Sequence, residues 1–343
     1  MQSLPSSRPV LRFLFLKAYA RAGLAVVTAG GVLVTAVACG RGGDYASSPT
    51  TVTVNATAAA GSVGSPSAPP SAKGGYVALG DSYTSGPGIP DRTGTPTGCQ
   101  RSDRNYPSLV AESLGIKATD FRDMSCSGAT IGDLSGAQST DDGTNPAQLS
   151  ALSSGTRLVT IGIGGNDIGF SDLVEQCTKS GIVYYATGSG KYTGSKAPCR
   201  GKYVSGGTDQ IQQRILTAGA RLADALKEVK QRAPQARVYI VGYPAILPSQ
   251  GSDCGLDMGL APGDVTFLNQ EVQQLNTTLK QRAQAVGAGY VDTYTPSVGH
   301  DACSAPKSRW IEPFLPLAPA APVHPNERGE RGMAEAVLRA VDG

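Results

Sequence analysis

Histidine is almost missing from this chain: the 343 residues hold two, His300 and His324. No two of the seven cysteines have the Cys-x-x-Cys spacing of a zinc site, and two imidazoles add little to such a set, which argues against a structural metal. Charge of one sign is also lacking. The net charge is +3, and residues 1–38 carry Arg8, Arg12, Lys17 and Arg21 with no acid, so removing those four positive charges leaves −1. A near-neutral remainder offers no electrostatic footprint for nucleic acid. Aromatic residues are 6% of the chain, with one tryptophan, Trp310. Trp310 is expected in the core, with the wall of a substrate site as its alternative place. Three motifs are absent as well. There is no Gly-x-Ser-x-Gly elbow, which removes support for the α/β-hydrolase fold. The run Gly162-Ile163-Gly164-Gly165-Asn166-Asp167 lacks the third glycine of a dinucleotide loop. Gly188-Ser189-Gly190-Lys191-Tyr192 lacks the spacing of a P-loop and the Ser/Thr after its lysine.

What is present begins with an export pattern. A basic stretch through Arg21 precedes an apolar run of residues 24–38, shorter than the roughly twenty residues of a spanning helix. Residues 1–38 are therefore expected to be a signal peptide, with an uncleaved anchor as the alternative. The run ends in Ala36-Val37-Ala38-Cys39. Small residues suit cleavage, and a cysteine just after the cut resembles a lipobox, although its usual leucine is Ala36 here. Lipidation of Cys39 and attachment to the cell membrane are expected, with free secretion as the competing outcome. Lipidation would also remove the odd thiol, leaving six cysteines for three disulfides among fifteen arithmetical pairings. Residues 39–73 are rich in Gly, Ala, Ser, Thr and Pro and bury too little to order themselves, so they form a flexible tether.

From residue 74 the pattern alternates. Strands are expected at 76–79, 157–163, 238–241 and 290–292, and helices at 106–114, 209–232, about 265–286 and 326–341. Alternation of this kind implies an α/β protein with a three-layer, doubly wound parallel sheet of flavodoxin-like order. Residues 177–207 break the rhythm and are expected to be a surface insertion near the site, with a passive loop stapled for stability as the alternative.

Four short segments carry the chemistry. Gly80-Asp81-Ser82-Tyr83 follows a buried strand, where parallel sheets present functional side chains. Ser127-Gly128-Ala129-Thr130, Gly164-Gly165-Asn166-Asp167 and His324-Pro325-Asn326 follow in order. Taken singly, each is an ordinary turn. Their joint order resembles the four sequence blocks of the SGNH (GDSL-type) hydrolases, a family of serine esterases and lipases, over nearly all of residues 74–343. The resemblance implies carboxylic-ester hydrolysis with no metal or organic cofactor, on an ester substrate, by a monomer. It implies Ser82 as nucleophile, His324 as base, and an oxyanion hole made by the backbone N–H groups of Ser82 and Gly128 and the side-chain amide of Asn166. His300, beside Asp301, is the weaker choice of base, because adjacent side chains rarely aim at one point. Resemblance to secreted actinobacterial lipases further implies the pairings Cys99–Cys126, Cys177–Cys199 and Cys254–Cys303.

One departure is informative. The family usually places an aspartate three residues before the histidine, where this chain has Ala321. A backbone carbonyl, from Ala321 or Pro322, is therefore expected to orient the ring in a Ser–His dyad, with remote Asp292 or Asp301 as the alternative. Asp81 reads as a residue that fixes its own loop. Removal of acetyl groups from carbohydrate, or glycan or lipid binding without catalysis, are the other functions this framework admits.

Overall fold

The computed structural model describes residues 75–189, 191, 196–249, 254 and 258–343. The signal segment, Cys39 and the tether lie outside the described residues. Five parallel strands form the main sheet: β1 (Gly75–Gly80), β2 (Phe121–Asp123), β3 (Thr156–Gly162), β4 (Arg237–Val241) and β5 (Gly289–Val291). Their order is β2-β1-β3-β4-β5, which is the flavodoxin-like arrangement. The expected strands are present. The edge strand β2 was not expected, because its three residues are only partly buried and carry no apolar run.

Side-chain alternation splits the core into two faces. Val77, Leu79, Val159, Ile161, Val238 and Ile240 point to one, whereas Tyr76, Ala78, Leu158 and Val241 point to the other. The first face is covered by α3 (Phe170–Ala186), α4 (Gln210–Arg232) and α5 (Pro262–Ala285). The second is covered by α2 (Tyr106–Ser113) and α6 (Glu327–Asp342), through Val110, Met333 and Val337. The very short helix α1 (Ser82–Ser85) sits at the carboxyl end of β1.

Helix α3 corrects the view of residues 177–207 as a surface insertion. Their first ten residues are the second half of this helix, whose opening turns line the site. Gly and polar residues mask its periodicity, and Gly181 is needed for close packing, since a Cβ there would lie 2.0 Å from the carbonyl oxygen of Gly259. Cys177 on α3 is joined to Cys199, and the chain passes through a two-stranded ribbon before α4. Cys99 is joined to Cys126, and Cys254 to Cys303. Trp310 is half-buried, stacked on His300 with ring centroids 5.2 Å apart and lying against Gly332 of α6.

Asn326 starts α6 two residues after His324. Its Oδ1 accepts from the backbone N–H groups of Arg328 and Gly329 at 3.0 and 3.1 Å. Its Nδ2 donates to buried Glu312 at 2.7 Å and to the Arg309 carbonyl at 3.1 Å. Asn326→Ala removes the cap and leaves a buried carboxylate short of a donor. It is expected to lower stability by about 3 kcal/mol, read from urea unfolding. A loss within 0.5 kcal/mol, about the spread of ordinary surface substitutions, would contradict this reading.

Candidate active site

Chain continuity places Ser82 at the sheet's carboxyl edge. Asp81 extends the β1 ladder by donating its N–H to the Gly162 carbonyl at 2.9 Å, then caps α1 by accepting from Tyr83 N–H at 2.9 Å. Gly80 is obligatory here, because a Cβ would lie 2.2 Å from Thr84 Oγ1 and 2.5 Å from the Gly162 carbonyl oxygen. Ser82 opens α1, so its own N–H has no acceptor within that turn.

His324 lies at the opposite end of the sequence, on the segment entering α6. Its Nε2 is 2.8 Å from Ser82 Oγ, and its Nδ1 is 2.8 Å from the Pro322 carbonyl oxygen. A carbonyl only accepts, so Nδ1 carries the proton and Nε2 is left to accept from the serine. Of the two carbonyls expected from the sequence, Pro322 faces the ring, whereas that of Ala321 accepts the His324 backbone N–H. Asp292 is engaged with Thr295, and Asp301 accepts from Cys303 N–H. Among the described residues neither bonds to His324. His300 is occupied elsewhere, with Nδ1 against the Ser308 carbonyl at 2.7 Å. Burial pushes the His324 imidazole below its ordinary value, and the Pro322 carbonyl opposes that shift.

His324 is held by strained backbone. Val323 has φ of +61°, a conformation that β-branched residues avoid. It is retained because its carbonyl accepts from Tyr83 OH at 2.6 Å and its N–H donates to the Glu312 carbonyl at 3.0 Å. The Tyr83 ring packs on His324, with centroids 4.9 Å apart.

Two loops supply further donors. Gly128 has φ of +81° and only Gln138 Nε2 near the place of a Cβ, so glycine satisfies the turn and leaves open space. Its N–H has no acceptor among the described residues. Asn166 Nδ2 donates one hydrogen to the Ala129 carbonyl at 2.8 Å, which ties the two loops and leaves a second hydrogen. Asp167 repeats the tie by accepting from Ile131 N–H at 2.9 Å.

A brace invisible in the sequence joins the serine loop to the asparagine loop. Tyr243, after β4, donates to Asp81 Oδ2 at 2.5 Å and accepts from Gly165 N–H at 2.7 Å. Its backbone is clamped by Asn276 of α5, with both bonds at 2.8 Å. Burial pushes the Asp81 carboxyl up to about 7, against the opposing hydrogen bonds from Tyr243 and Tyr83. Asp81 thus holds more than its own loop.

A narrow apolar pocket opens beside Ser82, walled by Phe170, Tyr243, Ile246, Val272 and Leu275. A groove that shares Tyr83, Phe170 and Ser171 with this pocket is lined further by Val174, Phe314, Pro322, Val323 and His324.

A parallel sheet carrying a serine–imidazole pair at its carboxyl edge is the architecture of an SGNH-type ester hydrolase. The sequence profile of the GDSL-like lipase/acylhydrolase family matches residues 78–331, and the chain belongs to that family. It is 40% identical over 242 residues to Lipase 2 of Streptomyces coelicolor, covering 70% of this chain and 76% of that one. Among solved structures it resembles the extracellular lipase of Streptomyces rimosus, with a TM-score of 0.61, 30% identity, and 78% and 99% of the two chains covered. Phospholipase A1 of Streptomyces albidoflavus gives 0.59 and 29%, with 78% and 100% covered. The protein is a carboxylic-ester hydrolase.

Tyr243→Phe cuts the brace while keeping the ring. It is expected to lower kcat roughly tenfold with KM within about twofold, because the donors at Asn166 shift relative to Ser82. Steady-state kinetics on a soluble ester checks this, and an unchanged kcat would remove Tyr243 from the account.

Proposed function

We propose that this enzyme cleaves esters through an acyl-enzyme on Ser82, with His324 as the general base and later the general acid. The 2.8 Å contact between Ser82 Oγ and His324 Nε2 is the observation that carries this reading. Ser82 Oγ attacks the ester carbonyl as its proton passes to Nε2. The N–H groups of Ser82 and Gly128 and the free hydrogen of Asn166 receive the developing oxyanion. Nε2 then returns the proton to the departing alcohol. Water, activated by the same nitrogen, releases the acid and restores Ser82. Pro322 holds the tautomer throughout and accepts from the imidazolium as a neutral acceptor.

The two cavities suit the two halves of an ester. The narrow apolar pocket borders Asn166 and Ser82 and fits the acyl chain, while the groove beside His324 receives the leaving alcohol, which must take its proton from Nε2. Three disulfides fit an oxidising compartment, and the chain is proposed to be exported and to act as a monomer, held at the cell membrane by a lipid on Cys39.

Ser82→Ala is expected to lower p-nitrophenyl ester turnover by several orders of magnitude, and turnover equal to wild type would reject the mechanism. In the wild type, His324 must be neutral to act as base. Because burial lowers its proton affinity, kcat/KM should fall on the acid side with a midpoint below the ordinary 6.5. A midpoint well above that value would mean an ion pair stabilises the imidazolium.

The pocket floor gives a second check. Val272→Ala adds room for about two methyl groups' worth of chain, and each buried methylene contributes about 0.8 kcal/mol. The ratio of kcat/KM for a longer over a shorter p-nitrophenyl ester should rise by roughly four- to fifteenfold. An unchanged ratio would place the acyl chain elsewhere.

A further inference from the structure

The segment between Glu312 and His324 carries the two most exposed large apolar side chains among the described residues, Leu315 at 83% and Leu317 at 74%. Single exposed leucines are commonplace on soluble proteins, but these two stand on one short loop that also builds the active-site mouth. Phe314, just before them, lines the groove with Pro322, Val323 and His324. The loop is also not free to fold its leucines inward. Glu312, itself buried, accepts from the N–H groups of Leu317 and Ala318 at 2.9 and 3.2 Å, and Ala321 N–H donates to the Pro87 carbonyl at 2.7 Å. Two prolines, Pro316 and Pro319, further stiffen the backbone.

Positive charge lies next to this apolar tip. A depression lined by Ala318 and Pro319 is completed by Asn326, Glu327, Arg328 and Arg331. Glu327 is matched by Arg104 at 2.7 Å. Arg328 spends its donors on the carbonyls of Lys307 and Pro306, which leaves its charge uncompensated, and Arg331 is exposed on the first turns of α6. Among the described residues no carboxylate lies within ion-pair distance of either arginine. On the other wall of the groove, Glu175 is paired with Lys179 at 2.5 Å.

We propose that the loop bearing Leu315 and Leu317 is a docking surface for an anionic lipid interface. The leucines enter the acyl region while Arg328 and Arg331 meet headgroup phosphates. Apolar side chains held outward beside unpaired cations are the combination that binds such an interface, where apolar burial and attraction to anionic lipid act together. The position of the loop adds a consequence. An ester drawn from the interface reaches the His324 groove over Phe314, without crossing water as a monomer. This surface extends the esterase reading but does not depend on the identity of the nucleophile.

The test separates the two. Binding is measured by co-sedimentation of the chain with phosphatidylcholine vesicles, with and without phosphatidylglycerol, in a Cys39→Ser, Ser82→Ala background so that no lipid anchor contributes and no lipid is consumed. Partitioning should be stronger on phosphatidylglycerol vesicles and weaken with added salt. Leu315→Ser with Leu317→Ser should lower the partition coefficient roughly ten- to a hundredfold. Arg331→Glu should lower the preference for phosphatidylglycerol while sparing binding to phosphatidylcholine. With Ser82 intact, the double leucine variant should hydrolyse a soluble short-chain p-nitrophenyl ester within about twofold of wild type, which shows that fold and site survive. Equal partitioning of wild type and double variant would overturn the proposal. So would concentration-dependent dimerisation of the wild type in sedimentation equilibrium that the leucine substitutions abolish, since the patch would then belong to a second copy of the chain.

Discussion

The hydrogen bond from His324 Nδ1 to the Pro322 carbonyl is the contact on which the site depends. It does alone what a carboxylate does in many serine hydrolases: it selects the tautomer and aims Nε2 at Ser82. A carbonyl two residues back along the chain can face the ring only if the backbone between turns sharply, and Val323 makes that turn at positive φ. Such a conformation costs about 1–3 kcal/mol in a non-glycine residue. Tyr83, Glu312 and the Asn326 cap offset it by holding the turn from three sides. The strain is thus local to the segment of His324, and its supports are spread through the fold.

A neutral acceptor has electrostatic consequences. It stabilises the imidazolium less than an aspartate would, so burial dominates and the ring stays neutral to lower pH. In the proposed mechanism, more of the transition-state stabilisation then comes from the donors proposed to surround the oxyanion. Their precision is visible in the cross-ties. Asn166 and Asp167 are bonded to the Gly128 loop, Tyr243 connects Asp81 to Gly165, and the Cys99–Cys126 disulfide anchors the same loop near β1. Each donor is therefore carried by backbone tied to at least one other donor-bearing segment.

Much of this was legible in the sequence because it is written in contiguous patterns. The strands β1 and β4 contain unbroken apolar runs, β3 has one interrupted only by Thr160, and α4, α5 and α6 carry helical stripes. The missing aspartate at Ala321 pointed to a carbonyl, although the choice between Ala321 and Pro322 needed the Val323 turn, and nothing in a valine signals positive φ. What the sequence hid has physical reasons too. Strand β2 is short and half-exposed, so it has no apolar signature. Helix α3 mixes Gly, Ser, Cys and Tyr, and only its packing makes it helical. Tyr243, Ile246, Val272 and Leu275 resemble ordinary core positions; they become a brace and a pocket wall only because α5 crosses the loop after β4. His300 beside Asp301 looked like a base pair by adjacency, yet its ring is stacked on Trp310.

The most direct measurement is the rate and place of covalent labelling by a fluorophosphonate, which needs an activated hydroxyl and no particular acyl chain. The account predicts a single adduct mapped to Ser82, formed more slowly by at least about two orders of magnitude in His324→Gln. Labelling of another serine, or a rate indifferent to His324, would contradict it.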